Sequence, residues 1–180
     1  MVIKRKGFTL IELLIVVTII GILAALFVPN ALEAIQKAKQ KATMRDMHVL
    51  DTAILDYVAD NGFAPGQNGV LAAGSSFFLQ ISGFYLKVVP LADQWGTPFY
   101  IYCGTDAVGN AGIDGVTATG PDEFLVMSYG SDRLPTPFSF DQLDPSSWHF
   151  ITTNLRSFYQ DLVTWNGAWI HFPKTAQAGS

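Results

Sequence analysis

Cysteine is almost absent from this chain of 180 residues: Cys103 stands alone, which excludes an internal disulfide framework and a cysteine-based zinc site. The histidines, at positions 48, 149 and 171, are too far apart for an H-E-x-x-H zinc helix, and neither a P-loop nor a G-x-G-x-x-G motif occurs. Charged residues make up only 14% of the chain, whereas apolar residues make up 49%. This composition is too apolar for a disordered protein, and the length suggests one compact domain with room for an appendage.

Basic residues are scarce in the second part of the chain. From Asp46 onward 13 acidic residues face 4 basic ones, a net charge of −9, although the whole chain carries −4. A domain this acidic is a poor match for phosphate backbones, so we expect no nucleic-acid binding. The bases concentrate instead in the segments 4–6 and 37–45.

One long apolar run, Phe8 to Val28, follows the basic leader MVIKRKG. As a helix at 1.5 Å per residue it would be roughly 31 Å long, the thickness of a bilayer core. A cleaved secretory signal fits poorly, because the run exceeds the usual 7–15 residues or so and lacks an A-x-A-like site. A plain membrane anchor fits the length, but a carboxylate such as that of Glu12 costs roughly 2.5–3.5 kcal/mol on insertion scales.

The stretch KGFTLIELLIVVTIIGILAALFVPN resembles the N-terminal signature of the type IV pilin superfamily, over about residues 4–30. The resemblance implies that a membrane-embedded prepilin peptidase cuts after Gly7 and that the new N-terminal residue, Phe8, is N-methylated. Glu12 then becomes the fifth residue of the mature chain, where the family has its assembly glutamate.

Cleavage would leave an α-ammonium group at Phe8 that can pair with Glu12 of a neighbouring subunit. Opposite charges about 4 Å apart gain roughly 4 kcal/mol at an effective dielectric near 20, and desolvation offsets part of that. We therefore expect this pair to select the register of subunits more than it adds stability. The alternative is a Glu12 side chain that extends to the membrane interface.

Gly21 and Pro29 match the small residue and the helix-loosening proline of the same family. Ordinary close packing between membrane helices would also explain Gly21. Proline lacks a backbone N–H and clashes with the preceding turn, so Pro29 kinks or ends a helix. We expect a kink, because a second helical pattern follows directly.

Residues 31–60 contain neither proline nor glycine and are rich in strong helix formers. Apolar side chains recur there at helical spacing, at Met47, Leu50, Ile54, Tyr57 and Val58. This stripe predicts that the helix docks on a globular head, with Asn61-Gly62 as its end. The lysines at 37, 39 and 41 either form a solvated face or pair with acids of a neighbouring subunit.

The rest of the chain favours β-structure. Strand-prone segments lie at 98–103 and 123–130, weaker ones lie at 148–154 and 168–172, and 156–163 suits either a short helix or a strand. One long helix followed by strands predicts an α+β fold with a small antiparallel sheet, the pilin fold. The expected divisions are a leader at 1–7, a transmembrane and filament-core helix at 8–30, an amphipathic helix at 31–61, and a head at 62–180 ending in an irregular tail.

A second resemblance lies within the head. VPLADQWGTPFYIY (89–102) and DEFLVMSYGSD (122–132) are similar to the major pseudopilin of type II secretion. Its Trp-Gly turn and Ser-x-Gly-x-Asp strand end match Trp95-Gly96 and Ser128 to Asp132. Asp93 is displaced by one residue relative to that pattern, because Gln94 separates it from the tryptophan.

That family binds calcium in an acidic loop after the Ser-x-Gly strand. Calcium prefers about 6–8 oxygen ligands, mostly carboxylates and carbonyls. Here Arg133 replaces the expected glycine, and the next acids come only at Asp141 and Asp144. We therefore expect no cofactor, with calcium at Asp132, Asp141 and Asp144 as the alternative.

An enzyme is the competing class of function. Ser128 or Ser131 with His149 and Asp122 offers the groups of a nucleophilic triad, but the chain has no G-x-S-x-G elbow. We predict instead a structural subunit of the type II secretion pseudopilus, with a type IV pilus subunit for adhesion or motility as the alternative. It would be a single-pass protein of the bacterial inner membrane, with its head outside in the periplasm. Its expected partners are copies of itself, the prepilin peptidase and methylase, the inner-membrane assembly platform and the minor pilins.

Overall fold

A computed structural model describes residues 7–107, 113–116 and 120–174. Of the expected leader only Gly7 is among them, and the last six residues of the chain also lie outside the described part. The chain divides into two compact units at Gln36 and Lys37.

Helix α1, Leu10–Asn61, is the first element and contains 52 residues. It does not end at Pro29, and the kink expected there stays a prediction. The helix ends before Gly62, whose positive φ of 78° suits a helix C-terminus. Every residue from Leu10 to Asn30 is exposed, in the part of the helix that is long and apolar enough to cross a membrane. An apolar surface of this kind is unsuited to water, so this segment needs lipid or other helices around it.

In the second unit, the remaining part of α1 packs on a sheet through the predicted apolar stripe. Met47, Leu50, Ile54 and Tyr57 are buried, and Val58 packs at the margin of the same cluster. Their partners include Phe99, which precedes β2, and four residues of three strands: Ile101, Phe124, Val126 and Leu162. The predicted docking of this half of the helix is therefore confirmed.

Short strands follow the helix, together with helix α2, Ser76–Ile81. The strands are β1 Asn68–Val70, β2 Tyr100–Cys103, β3 Ile113–Asp114, β4 Phe124–Ser128, β5 Phe138–Ser139, β6 His149–Ile151, β7 Leu162–Trp165 and β8 Ala168–Lys174. Within the described residues six of them form one sheet in the order β1-β2-β4-β7-β8-β6. Its pairs are antiparallel except β6 with β8, and β3 pairs with β5 in a separate parallel ribbon. The α+β architecture is confirmed, with a sheet that is mostly rather than wholly antiparallel.

The segment after Asp132 contributes three strands to the sheet, and two of them, β6 and β8, lie at the weaker strand-prone segments 148–154 and 168–172. It supplies β7, which lies beside β4 in the middle of the sheet, and then β8 and β6. The ambiguous segment 156–163 is divided between a 3₁₀ turn, Leu155–Tyr159, and the start of β7. Leu162 and Val163 are fully buried, which explains why this segment extends the sheet instead of leaving it.

A buried carboxyl lies between α1 and the sheet. Asp51 is 1% exposed; its Oδ1 accepts a hydrogen bond of 2.9 Å from Thr164 Oγ1, and its Oδ2 has no partner in the described part of the protein. Burial raises the pKa of Asp51 to about 7. The folded pKa of Asp51 exceeds its unfolded pKa. The contribution of this group to the free energy of unfolding is therefore at its maximum below about pH 4 and is lost as the pH rises through 7.

We therefore expect Asp51→Asn to stabilise the protein at pH 8, by roughly 1–4 kcal/mol, and to change little at pH 4. The measurement is chemical unfolding of the full-length protein in detergent between pH 4 and 8. Asp122→Asn, a change at an exposed acid, is the control and should leave the pH dependence as it is. Equal stability of Asp51→Asn and the unaltered protein at pH 8 would contradict this account.

Candidate functional site

The start of α1 carries a reciprocal hydrogen-bonded cap. Thr9 N donates to Glu12 Oε2 at 2.8 Å, and Glu12 N donates to Thr9 Oγ1 at 3.3 Å. The Thr9 hydroxyl also donates to the same carboxylate oxygen at 2.7 Å. Thr9 precedes the first helical residue and Glu12 is the third, so this is a capping box.

The cap gives Glu12 a second role that the sequence analysis missed. The pattern Thr-x-x-Glu before an apolar run is the sequence signal of a capping box and was available in residues 9–12. A carboxylate in the first turn also faces the positive end of the helix dipole. Glu12 is thus held close to the chain terminus that cleavage after Gly7 would create.

The surroundings of the expected cleavage point are open. Among the described residues, no heavy atom outside the chain neighbours lies within 4 Å of a Cβ built on Gly7, and Phe8 is 79% exposed. Gly21 is equally open, and Pro29 lies within an exposed stretch of α1. The roles expected for Gly7, Phe8, Gly21 and Pro29 stay predictions.

In the head, Asp93 joins the two sequence segments that resemble the pseudopilins. Its Oδ1 accepts hydrogen bonds of 2.9 Å from both Trp95 N and Thr97 N, while its Oδ2 accepts one of 2.8 Å from Ser128 Oγ. Asp93 is 6% exposed and Ser128 is fully buried. The one-residue displacement of Asp93 therefore does not prevent it from fixing the Trp-Gly turn to the end of β4.

Gly130, two residues after Ser128, occupies a position that admits no side chain. Its φ is +69°, and a Cβ placed there would lie 2.7–3.1 Å from the carbonyl oxygens of Phe158, Tyr159 and Gln160. The Ser-x-Gly pattern thus lets the chain after β4 pass closely against the turn that precedes β7. The segment after Asp132 thus contacts the end of β4 at Gly130, through the backbone of residues 158–160.

The loop that follows is held by side chains of the protein itself. Arg133 has a left-handed backbone with φ of 64°, the conformation that suits the glycine it replaces. Its Nη2 donates a hydrogen bond of 2.6 Å to the carbonyl oxygen of Trp95. Further along, Thr136 N donates to Oδ2 of the buried Asp161 at 2.9 Å.

The three acids named as calcium ligands do not form one site. Asp132 Oδ1 accepts from Leu134 N at 3.2 Å, and Asp141 Oδ1 accepts from Leu143 N at 2.9 Å. Asp144 Oδ1 accepts from the N and Oγ of Ser146. Each carboxylate thus closes a local Asx turn. Among the residues that the structure describes, no group of three or more His, Cys, Asp or Glu is placed to hold a metal ion, and calcium at these acids stays a prediction.

Two of the groups considered for a nucleophilic triad, Ser128 and His149, lie within hydrogen-bond distance of groups outside it. Ser128 donates to Asp93, and His149 Nδ1 lies 3.0 Å from the carbonyl oxygen of Pro145. Trp148 and Trp165 pack against Phe140, with ring centroids 5.6 and 6.0 Å apart. The ring contacts place Trp148 and Trp165 in the packing of the head.

Comparison with known proteins gives concordant results. Residues 3–28 match the family model described as the prokaryotic N-terminal methylation motif. The type II secretion system core protein G of Aeromonas hydrophila is 32% identical over 130 residues, 66% of this chain and 90% of the relative. The protein of the same name from Vibrio cholerae is 33% identical over 132 residues, again 66% of this chain and 90% of the relative. A fimbrial protein of Neisseria meningitidis is 36% identical over 85 residues, 47% of this chain and 49% of the relative. No solved structure gives a significant match.

Proposed function

Because this chain belongs to the family of the type II secretion system core protein G, we propose that it is the major subunit of a secretion pseudopilus. The observation that supports the proposal is that one chain contains two features of that family. The first is an exposed apolar helix segment with Glu12 in its N-terminal cap. The second is a head whose Trp-Gly and Ser-x-Gly segments are joined by the hydrogen bonds of Asp93. A type IV pilus subunit is less well supported, since the fimbrial relative matches about half of each chain.

Processing at the N-terminus is the first step of the proposal. A prepilin peptidase cuts the bond between Gly7 and Phe8, and a methylase modifies the new amino group. The cleaved Phe8 ammonium lies one residue before the Thr9–Glu12 cap. In a filament, the ammonium of one copy compensates the Glu12 carboxylate of a neighbour, as opposite charges in lipid require.

Before assembly, the chain is held in the inner membrane by the first part of α1. The leader bases next to the apolar run favour a cytoplasmic leader, while the bases at 37–45 partly compete. The resemblance to the pilins decides between them and implies a head in the periplasm. Copies, the inner-membrane assembly platform and minor pilins are the proposed partners. Assembly exchanges lipid contacts for helix contacts, so its energy comes mainly from packing and from an external motor.

The subunit is proposed to act without catalysis and without a resident metal. The loop after β4 is tied by Arg133 and Asp161, and the Asx turns of Asp132, Asp141 and Asp144 use their carboxylates locally. We expect the melting temperature of the purified protein to be the same in calcium and in EGTA. A rise of several degrees in calcium alone would contradict this expectation and restore the acidic loop as a binding site.

Deletion of the gene tests the proposed function. We expect loss of exoprotein secretion with surface pili and twitching motility unchanged, and recovery when the intact gene is supplied. Loss of pili with normal secretion would establish the alternative. A chain from residue 36 onward that turns over a substrate would contradict the non-enzymatic role.

A further inference from the structure

The exposed face of the second part of α1 carries opposite charges at its two ends. We call Lys41, Arg45, Asp56 and Asp60 the charge stripe; all four side chains are exposed. At about 100° per residue they fall within an arc of roughly 100°, on the side of the helix away from the buried core residues. The two bases lie toward the N-terminal end of this face, and the two acids lie toward its C-terminal end.

The acidic end of the stripe borders a notch of about 300 Å³, lined by Asp56, Ala59, Asp60, Phe84 and Tyr85. Tyr85 Oη donates to Asp60 Oδ2 at 3.1 Å, which fixes the ring and the carboxylate together. Phe84 meets Tyr85 edge to face at 4.8 Å and is itself 82% exposed. Within the described residues neither carboxylate pairs with a base.

The two side chains at the basic end of the stripe, Lys41 and Arg45, are exposed to solvent. Arg45 Nε lies 3.8 Å from Asp46 Oδ1, but its side chain is 74% exposed, so this pair is weak. Lys41 forms no ion pair in the part of the chain that is described. The two ends of the stripe are thus opposite in charge, and within the described residues they form no ion pair with each other.

We propose that the notch receives the basic end of the charge stripe of a second copy of this chain. The spacing of four residues between Lys41 and Arg45 equals that between Asp56 and Asp60, so one displacement along the helix satisfies both pairs. That displacement is 15 residues, roughly 22 Å at the rise of an α-helix. A guanidinium also packs well on an exposed aromatic ring such as that of Phe84.

A second copy is the occupant that the charges favour, because one chain supplies both halves at matching spacing. The contact joins different surfaces of the two copies, so it is heterologous and repeats along a filament without closing. This inference rests on the proposed filament function and adds the surface that sets the axial register. A basic segment of another protein is the competing occupant, and the experiment below distinguishes it.

The test uses the full-length chain and the amount of filament recovered from cells by shearing and sedimentation. We expect Asp56→Lys with Asp60→Lys, and separately Lys41→Glu with Arg45→Glu, to lower the yield at least about tenfold through like-charge contacts. The variant with all four changes restores opposite charges between copies and should return to within about threefold of normal. Asp122→Lys, an exposed acid outside the stripe, is the matched control and should assemble normally. Equal melting temperatures would show that all variants fold.

Two results would overturn the inference. Normal yield from either two-site variant would show that the stripe is not at an interface. A four-site variant as poor as the two-site ones would show that another molecule fills the notch. In both cases the proposed function would stand as long as secretion still required the gene, whereas a chain that forms no filament at all would contradict the function itself.

Discussion

Glu12→Ala should abolish filament assembly and secretion while leaving the protein inserted in the membrane. The substitution removes the carboxylate that we propose pairs with the Phe8 ammonium of a neighbouring copy. Without this pair the register of neighbouring copies is no longer selected, and each loss of about 1.4 kcal/mol per contact weakens association about tenfold. Insertion should be unaffected, because removing a charge from an apolar helix favours the membrane. The measurements are filament yield, secreted protein and carbonate-resistant membrane association.

The capping box requires controls that separate charge from cap. Glu12→Gln keeps a side chain that can cap the helix but removes the charge, so it should fail in assembly as Glu12→Ala does. Thr9→Ala weakens the cap by about 0.5–2 kcal/mol but keeps the carboxylate, so it should still assemble. If Glu12→Gln assembled normally and Thr9→Ala did not, the cap rather than the charge would be the essential feature.

Asp93→Ala should have the largest effect on the stability of the head. It leaves the buried Trp95 N, Thr97 N and Ser128 Oγ without their acceptor. Each buried group left unsatisfied costs about 1–3 kcal/mol, so we expect a loss of roughly 3–5 kcal/mol, a large share of the stability of a typical domain. A drop in melting temperature on the order of 10 °C would follow.

Asp93→Asn is the matched control for this change. Its amide oxygen can still accept from the two backbone N–H groups, and the Ser128 hydroxyl can turn to accept from the amide nitrogen. We expect it to lose less than half as much stability as the alanine variant in thermal unfolding. An Asp93→Ala protein that melts within 1–2 °C or so of normal would show that the Trp-Gly turn is held by other contacts.

The helix and its docking face were predictable from sequence because they depend on local periodicity. The stripe from Met47 to Val58 and the stop at Asn61 lie where the spacing of apolar residues and the glycine placed them. The strands β2 and β4 were found for a similar reason, since aromatic and β-branched residues cluster there. These features need no knowledge of distant contacts.

Features that depend on distant contacts were harder to predict. β7 lies beside β4 only because Leu162 and Val163 are buried in the cores, which residues 156–163 alone do not reveal. The parallel pairing of β6 with β8 has no local signal either. Asp93 was recognised by resemblance, but its bonds to Ser128 across 35 residues needed the fold. The cap of Glu12 is a different case, because the Thr-x-x-Glu pattern of residues 9–12 is a local signal that could have predicted it.

The mass of the N-terminal peptide of protein extracted from membranes shows directly whether the chain is processed as proposed. We expect a chain that begins at Phe8 with a methylated amino group. An N-terminus at Met1, or a start near Leu26 as after a secretory signal, would contradict it, because Glu12 would then have no neighbouring ammonium to meet.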